Sequence, residues 1–267
     1  MELFDFFKNK KGIVLIIVLF IGVSTVVSRL YDSKLTAHTE LTISAASSLK
    51  NSLSEIAVQF EASHPDIHLT FNFGSSGSLA SQIQAGAPVD LFISASKKQI
   101  ESLTEAHLID SKDVIELLSN QLVFIIPNNN TFQPRSLNQL SSDSIRSIAI
   151  GQPDSVPAGQ YAIEALQNAK LYAALQQKLL YAKDVKQVLS YVERGDADAG
   201  IVYLSDASAS KSVQIAFPID SSLHAPIIYP LAIISSTKHP IEAKLVSNYF
   251  NSTIADNVFT KYRFTLR

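Results

Sequence analysis

The chain has 267 residues, of which 46% are hydrophobic and 17% charged, and its formal net charge at pH 7 is −2. This length and composition suit two lobes or one large domain with a buried core, and the small charge argues against a basic surface for nucleic acid. Cysteine is absent from the sequence, which excludes disulfides, thiolate metal ligands, a cysteine nucleophile and a lipid on an N-terminal cysteine.

The N-terminus begins with a basic and then an apolar stretch. Three lysines, Lys8, Lys10 and Lys11, precede an almost unbroken apolar run over residues 12–27. This order is typical of a secretory signal or of a short membrane anchor. No clear small-residue cleavage site follows. We therefore assign residues 1–40 either to a signal peptide or to an N-terminal membrane anchor plus a polar linker. The length of the apolar run favours the cleaved signal.

From residue 41 onward, apolar strands alternate with helices. The first three strands are predicted at residues 41–44, 67–73 and 89–94. Each strand precedes a helix whose apolar residues recur at three- and four-residue spacing, at residues 49–60, 79–85 and 97–108. This alternation predicts a mainly parallel sheet with helices on its faces.

The rest of the chain contains further strands and helices. Strands are predicted at residues 121–126, 147–150, 200–204, 213–219 and 227–235. Helices are predicted at residues 160–168, 171–180, 185–194, 240–250 and 254–262. Gly195 is the expected C-cap of one helix, and Pro240 is the expected first residue of another.

These elements predict an α/β fold with two lobes. Lobe I comprises residues 41–122 and 230–267, and lobe II comprises residues 123–229, so the chain crosses between the lobes twice. Each lobe is expected to be a mainly parallel sheet flanked by helices. A ligand would then bind in the cleft between the lobes, at the carboxyl ends of the strands.

Four junctions that precede helices share one chemical character. They place serine hydroxyls or unpaired backbone N–H groups at the positive end of a helix, at residues 46–49, 74–78, 156–159 and 183–185. Tyr203, at the end of a predicted strand, adds a phenolic O–H. Each feature alone is usually a helix cap, a turn or a half-buried tyrosine. Their coincidence on both lobes predicts a clamp for an anion.

The same segments resemble the periplasmic molybdate-binding proteins of bacterial ABC importers. The resemblance rests on LTISAASSLKNSLSEIAVQF, FGSSGSLASQIQAGAPVDLFISA, GQPDSVPAGQYAIEAL and AKDVKQVLSYVERGDADAGIVYLSDA, and it extends from Leu41 to the C-terminal KYRFTLR. It implies the two-lobed fold of type II solute-binding proteins, which close on their ligand by a hinge.

The resemblance also implies a ligand and a set of site residues. The ligand is molybdate, and tungstate as well, held by two serine hydroxyls with their amides, two further backbone amides and a tyrosine hydroxyl. These groups map to Ser48, Ser76, Ala158, Val185 and Tyr203. They contact the oxygens of the anion, so the metal atom has no direct protein ligand, and no cofactor or catalytic residue is implied.

Transport implies further partners and a location. The resemblance implies delivery of the anion to a membrane permease driven by an ATPase, by a monomeric receptor in the periplasm. If the N-terminal segment is not cleaved, that segment contacts the membrane and the receptor is extracytoplasmic and tethered. The sequence departs from the family pattern at Ser44, Ser47 and Gly77. Gly77 replaces a frequent serine, and we expect it to loosen its loop without removing a hydrogen-bond donor.

The chemistry of the five positions agrees with a fully ionised oxoanion. Such an anion needs donors only, and hydroxyls and N–H groups supply them without a buried countercharge. A site for protonated phosphate would benefit from a carboxylate, which none of the five positions supplies. Because sulfate differs from molybdate mainly in size, a receptor for sulfate or phosphate remains an alternative.

Two other classes of site find partial support in the sequence. Residues 47–50 and 94–97 both match the S-x-x-K pattern of serine acyl-enzymes, but the companion K-T-G, S-D-N and G-x-S-x-G motifs are missing from the sequence. His64 and His68 are four residues apart, but Pro65 interrupts any helix that would align them on a metal. We therefore expect a binding protein, neither an enzyme nor a protein with a histidine metal site.

Overall fold

A computed structural model describes residues 38–267 of the chain. The signal peptide or anchor predicted over residues 1–40 lies almost wholly outside these described residues. Within them, every helix falls short of the length and hydropathy that a membrane span requires.

The first sheet has six strands in the order β11-β4-β10-β3-β1-β2. Its strands are β1 (Thr39–Ala46), β2 (Ile67–Gly74), β3 (Leu91–Ile93), β4 (Ile109–Ser119), β10 (Ile228–Ile234) and β11 (Thr265–Leu266). Strands β1 and β3 are parallel, whereas β10 is antiparallel to both β3 and β4.

The second sheet has five strands in the order β7-β6-β8-β5-β9. Its strands are β5 (Leu122–Pro127), β6 (Ile148–Gly151), β7 (Leu179–Ala182), β8 (Ala199–Tyr203) and β9 (Val213–Pro218). Strand β6 is parallel to β7 and β8, whereas β5 is antiparallel to β8 and β9.

Both sheets are therefore mixed rather than mainly parallel. A strand that is reached through a helical crossover runs parallel to its predecessor, as β1 and β3 do. Strand β10 instead returns to the first sheet from the second, so its direction is not fixed by such a crossover. The chain leaves the first sheet between Ser119 and Leu122 and returns between Pro218 and Ile228. We retain the sequence-derived lobes I and II as a proposal for the two moving bodies.

Nine α-helices cover the sheets within the described residues. They are α1 (Lys50–Ser63), α2 (Ser76–Gln84), α3 (Lys97–Glu105), α4 (Pro157–Asn168), α5 (Tyr172–Leu175), α6 (Val185–Arg194), α7 (Leu204–Ser208), α8 (Pro240–Phe250) and α9 (Thr253–Lys261). Short 3₁₀ turns occupy Ser47–Leu49, Leu137–Ser141, Gln176–Lys178 and Ser221–Leu223. Helices α6 and α8 begin and end at the predicted residues, and Gly195 caps α6 in the left-handed conformation.

The helix predicted over residues 171–180 was wrong in its second half. Leu171, Leu175 and Leu179 have helical spacing, but α5 ends at Leu175 and Leu179 begins strand β7. Leu179 pairs with Ile148 in a parallel register, so the pairing with β6 overrides the local period. Strand β4 was not predicted, because residues 110–112, which follow its buried first residue Ile109, are polar and exposed and show no clear alternation.

The packing of α1 positions the first junction of the site. Leu49, Leu53, Ile56 and Phe60 are fully buried and recur at three- and four-residue spacing. Each such side chain contributes about 1.5–3 kcal/mol by leaving water. This buried face holds the start of α1 against the sheet, directly after the end of β1.

Candidate functional site

The structure brings the five sequence-predicted residues together around one cavity. Ser48, Ser76, Ala158, Val185 and Tyr203 all line it. The two serines follow strands of the first sheet. Ala158 and Val185 lie at the starts of helices that follow strands of the second sheet, and Tyr203 is the last residue of a strand in that sheet. The cavity holds about 10 Å³, roughly the space that one water molecule needs. A ligand of a few atoms can therefore enter only while the walls are apart, and it is enclosed as they close around it.

Larger clefts lie elsewhere on the surface. Two of them measure about 380 and 390 Å³, and none of the five residues lines either cleft. Volume alone does not make a specific site, which needs a few convergent polar groups. The small cavity has such groups from four separate junctions, so we take it as the candidate site.

Ser76 is free to donate its hydroxyl proton because its neighbour caps the helix. Ser75 is the N-cap of α2, and its Oγ accepts a hydrogen bond from the Ser78 N–H at 3.3 Å. The Ser76 Oγ instead accepts from the Ala95 N–H at 2.9 Å, and Ser76 is almost fully buried. With an acceptor position of the oxygen occupied, the O–H remains available to a ligand.

Ser48 lies in the 3₁₀ turn between β1 and α1, where it is almost fully buried. Its Oγ is 3.0 Å from the Oη of Tyr229, and either atom can donate. Tyr229 Oη in turn lies 3.4 Å from the Nδ2 of Asn120, which donates to it. If Tyr229 donates to Ser48, the Ser48 proton is directed toward the cavity.

The start of α4 leaves a single N–H unpaired at its tip. Pro157 has no N–H, and the N–H groups of Gly159 and Gln160 both donate to the Val156 carbonyl. Within the described residues, the Ala158 N–H has no hydrogen-bond partner. Gly159 is required here because a Cβ would lie 1.9 Å from the Gly151 carbonyl oxygen. This close approach packs the helix start against the end of β6.

The start of α6 carries a reciprocal cap. The Asp184 side chain accepts from the Gln187 N–H at 2.9 Å, while the Gln187 side chain accepts from the Lys183 N–H at 2.8 Å. Asp184 is thus the N-cap of α6, and the predicted start of this helix at Val185 is confirmed. In the part of the chain that is described, the Val185 N–H keeps no hydrogen-bond partner.

Tyr203 presents a buried hydroxyl at the end of β8. Only 1% of the residue is exposed, and its Oη has no hydrogen-bond partner among residues 38–267. Burial, together with the nearby Tyr229 and Asp206, raises the pKa of Tyr203 well above its usual value. The hydroxyl therefore stays protonated and acts as a donor at physiological pH. Leaving it unpaired costs about 1–3 kcal/mol, which an acceptor in the cavity would remove.

Sequence reasoning missed the residues that support this site from behind. Asn120 lies where the chain crosses between the sheets, and its Nδ2 also donates to the Ser205 Oγ at 2.9 Å. The ring of Tyr229 contacts that of Tyr203 edge-on, with the centroids 5.8 Å apart. Neither Asn120 nor Tyr229 belongs to a motif, and only the meeting of distant segments reveals their role.

An ion pair joins α6, which begins at Val185, to α7, which follows Tyr203. Lys186 Nζ lies 2.8 Å from Asp206 Oδ1, and the Asp206 carboxylate is fully buried. Burial raises the pKa of Asp206 from its usual value, while Lys186 opposes that shift. Because α6 and α7 are tied at these residues, the pair fixes the second-sheet side of the cavity.

The arrangement suits the binding of an anion and offers no activated nucleophile. Among residues 38–267, the residues that line the cavity include no acidic, basic or histidine side chain. Lys50 of the first S-x-x-K match is exposed, and Lys97 of the second pairs with Glu116. His64 contacts the Phe60 carbonyl and His68 pairs with Glu61, so the two do not converge on a metal.

Comparison with known proteins identifies the family to which the chain belongs. Residues 41–265 match the family model of the bacterial extracellular solute-binding proteins, and the chain belongs to that family. These proteins are transport receptors and not enzymes, as the sequence predicted.

Individual relatives cover nearly the same range. The chain is 44% identical over 225 residues to YvgL of Bacillus subtilis (strain 168), a lipoprotein assigned as an ABC transporter substrate-binding protein, covering 84% of this chain and 86% of the relative. It is 38% identical over 234 residues to the molybdate-binding protein ModA of Escherichia coli (strain K12), covering 85% and 90%.

One solved structure joins sequence and fold. A substrate-binding domain from Clostridium difficile, assigned to a molybdenum ABC transporter, is 38% identical, with a TM-score of 0.68 and coverage of 86% of this chain and 99% of that chain. The resemblance drawn from the sequence and the two-lobed solute-binding fold are therefore confirmed, with the sheets mixed as described above.

Proposed function

We propose that the protein is an extracytoplasmic receptor that binds molybdate and tungstate in the cavity between the two sheets. One observation carries the proposal: donor groups from both sheets converge on one small cavity, and none of its described lining residues is acidic or basic. ModA of Escherichia coli, at 38% identity, is a molybdate-binding protein, which supports the same ligand here.

In this proposal each of the five residues donates one or more hydrogen bonds to oxygens of the anion. Ser48 and Ser76 use hydroxyls and amides, Ala158 and Val185 use amides, and Tyr203 uses its hydroxyl. The metal atom of the oxoanion stays bonded to its own oxygens alone. Protonated phosphate is disfavoured, because no carboxylate among the described lining residues would accept its remaining proton.

Delivery completes the proposed function. The receptor, as a monomer, would hand the anion to the permease of an ABC importer that its ATPase drives. The family name places such receptors outside the cytoplasm. Residues 1–40 would either direct export and be removed or stay as a membrane tether.

A thermal-shift panel with molybdate, tungstate, sulfate and phosphate tests the ligand on the purified full chain. Saturation at about 100 times Kd adds about 2.7 kcal/mol to stability, so the melting temperature should rise by several degrees with molybdate and tungstate. The double variant S48A/S76A should bind molybdate at least about tenfold more weakly, because two anion oxygens lose a donor.

The matched control is S81A, which alters an exposed serine of α2 outside the cavity. It should bind as the unaltered protein does. A shift with sulfate and none with molybdate would assign the site to sulfate instead. Unchanged affinity in S48A/S76A would remove these serines from the site.

A further inference from the structure

A backbone hydrogen bond joins two residues that directly adjoin the cavity residues in sequence. The Gly77 N–H, in the first turn of α2, donates to the Ser155 carbonyl at 2.9 Å. Gly77 follows the cavity residue Ser76, and Ser155 precedes the cavity residue Val156. The bond therefore joins the first-sheet side of the cavity to the loop that leads into α4 on the second-sheet side.

The space at Gly77 has no room for a side chain. A Cβ at this position would lie 2.6 Å from the Ser155 carbonyl oxygen and 2.8 Å from the Ser155 Cα. Both are backbone atoms, so they cannot move aside as the end of a flexible side chain would. Any residue other than glycine would push the Ser155 loop away from α2.

The backbone of Gly77 itself does not call for glycine. Within the described residues, the glycines with positive φ are Gly86 and Gly195, and Gly77 is helical. Alanine is a better helix former than glycine, so α2 alone would favour alanine here. The sequence-based expectation of a loosened loop is wrong, because Gly77 lies in a helix at a tight contact.

We infer that Gly77 sets how far the two sides of the site close, and that oxoanion affinity depends on the missing side chain at this position. The inference rests on the proposed function. The Gly77–Ser155 contact exists only when the two sides meet, and water can satisfy both groups when they are apart. Since a ligand held from both sides binds the closed form, a side chain that opposes closure lowers its apparent affinity.

The test variant is G77A, compared with the unaltered chain by calorimetric titration of molybdate and by thermal unfolding without ligand. The affinity of G77A should fall about tenfold or more, as expected for overpacking a close contact. Its melting temperature without ligand should be unchanged or higher, because alanine favours α2. A general folding defect would lower both, so the opposite signs identify an effect on closure.

Two controls isolate the backbone contact. S155A keeps the carbonyl that accepts the hydrogen bond and should bind molybdate like the unaltered chain. S81A adds an alanine to α2 away from Ser155. It removes the hydrogen bond from the Ser81 hydroxyl to the Gly77 carbonyl but keeps the Gly77 N–H and the space beside it, so it should also bind normally. Small-angle scattering at saturating molybdate should show G77A as less compact than either control.

The possible outcomes separate this inference from the proposed function. If the unaltered chain binds molybdate and G77A matches it within about twofold, the inference is overturned and the proposed function stands. If the unaltered chain binds sulfate instead, the same comparison is made with sulfate, and weaker binding by G77A supports the inference alone. If the unaltered chain binds none of the four anions, the inference and the proposed function are both overturned.

Discussion

The hydrogen bonds of single residues explain why O–H and N–H donors stay available at the cavity. Ser75 takes the capping role, and Ser76 accepts from the Ala95 N–H, which leaves the Ser76 O–H for a ligand. Pro157 removes an N–H that would otherwise compete at the tip of α4. Tyr203 contributes the most exceptional group, because its buried hydroxyl has no partner among the described residues.

Tyr203→Phe should therefore separate binding from stability. Without ligand, the variant loses an unpaired buried hydroxyl, so its free energy of unfolding should stay equal or rise by about 1 kcal/mol. Molybdate affinity should fall by about tenfold, since one anion oxygen loses its donor. Urea unfolding and calorimetric titration measure the two effects.

Tyr229→Phe provides the contrast for this prediction. Tyr229 has ring contacts and burial like Tyr203, but its hydroxyl is already bonded to Ser48. Its loss should lower stability without ligand as well as affinity. Unchanged molybdate affinity in Tyr203→Phe would remove that hydroxyl from the site.

At the scale of elements, the sequence predicts best where local chemistry decides the boundaries. Helix α6 is fixed by the Asp184 cap and by Gly195, and α8 begins at Pro240, so both were predicted residue for residue. Strand β7 was missed because its pairing partner, β6, lies about 30 residues earlier in the chain, and local sequence patterns do not show such pairings. The four junctions and the tyrosine at a strand end are local features of the sequence. The choice of the five candidate residues among them came from the family resemblance.

The Lys186–Asp206 pair ties α6 to α7, and Lys186→Met should show its energetic role. Removing the lysine leaves a buried carboxylate without its partner, so unfolding free energy at pH 8 should fall by about 3–5 kcal/mol. Burial already raises the pKa of Asp206, with the nearby Asp184 adding to the effect and Lys186 opposing it.

The pH dependence of this variant follows from the sign of that shift. A carboxyl whose folded pKa lies above its unfolded value contributes stability at low pH that is lost as pH rises through the folded pKa. Because the loss of Lys186 raises the pKa of Asp206 further, Lys186→Met should lose less folding stability at pH 5 than at pH 8. In Lys186→Met combined with Asp206→Asn this difference should disappear. Equal losses at both pH values in the single variant would show that Asp206 does not titrate there.

For the whole molecule, the alternation of strands and helices sufficed to predict an α/β fold. It could not predict the mixed sheets, because β10 takes its direction from the return of the chain to the first sheet. Nor could it predict contacts between segments far apart in sequence. The Gly77–Ser155 bond and the contacts of Tyr229 both arise where such segments meet.

Asn120 lies where the chain passes from the first sheet to the second, and its side chain connects this segment to the residues behind the site. Its side chain donates to Ser205, which follows strand β8, and to Tyr229, which holds Ser48. Asn120→Ala should lower molybdate affinity by about two- to tenfold, the equivalent of one net hydrogen bond. Ser205→Ala removes only the first contact and should have the smaller effect on affinity. Titration of both variants decides the matter: equal affinities in Asn120→Ala and the unaltered chain would mean that Ser48 is oriented by Tyr229 alone.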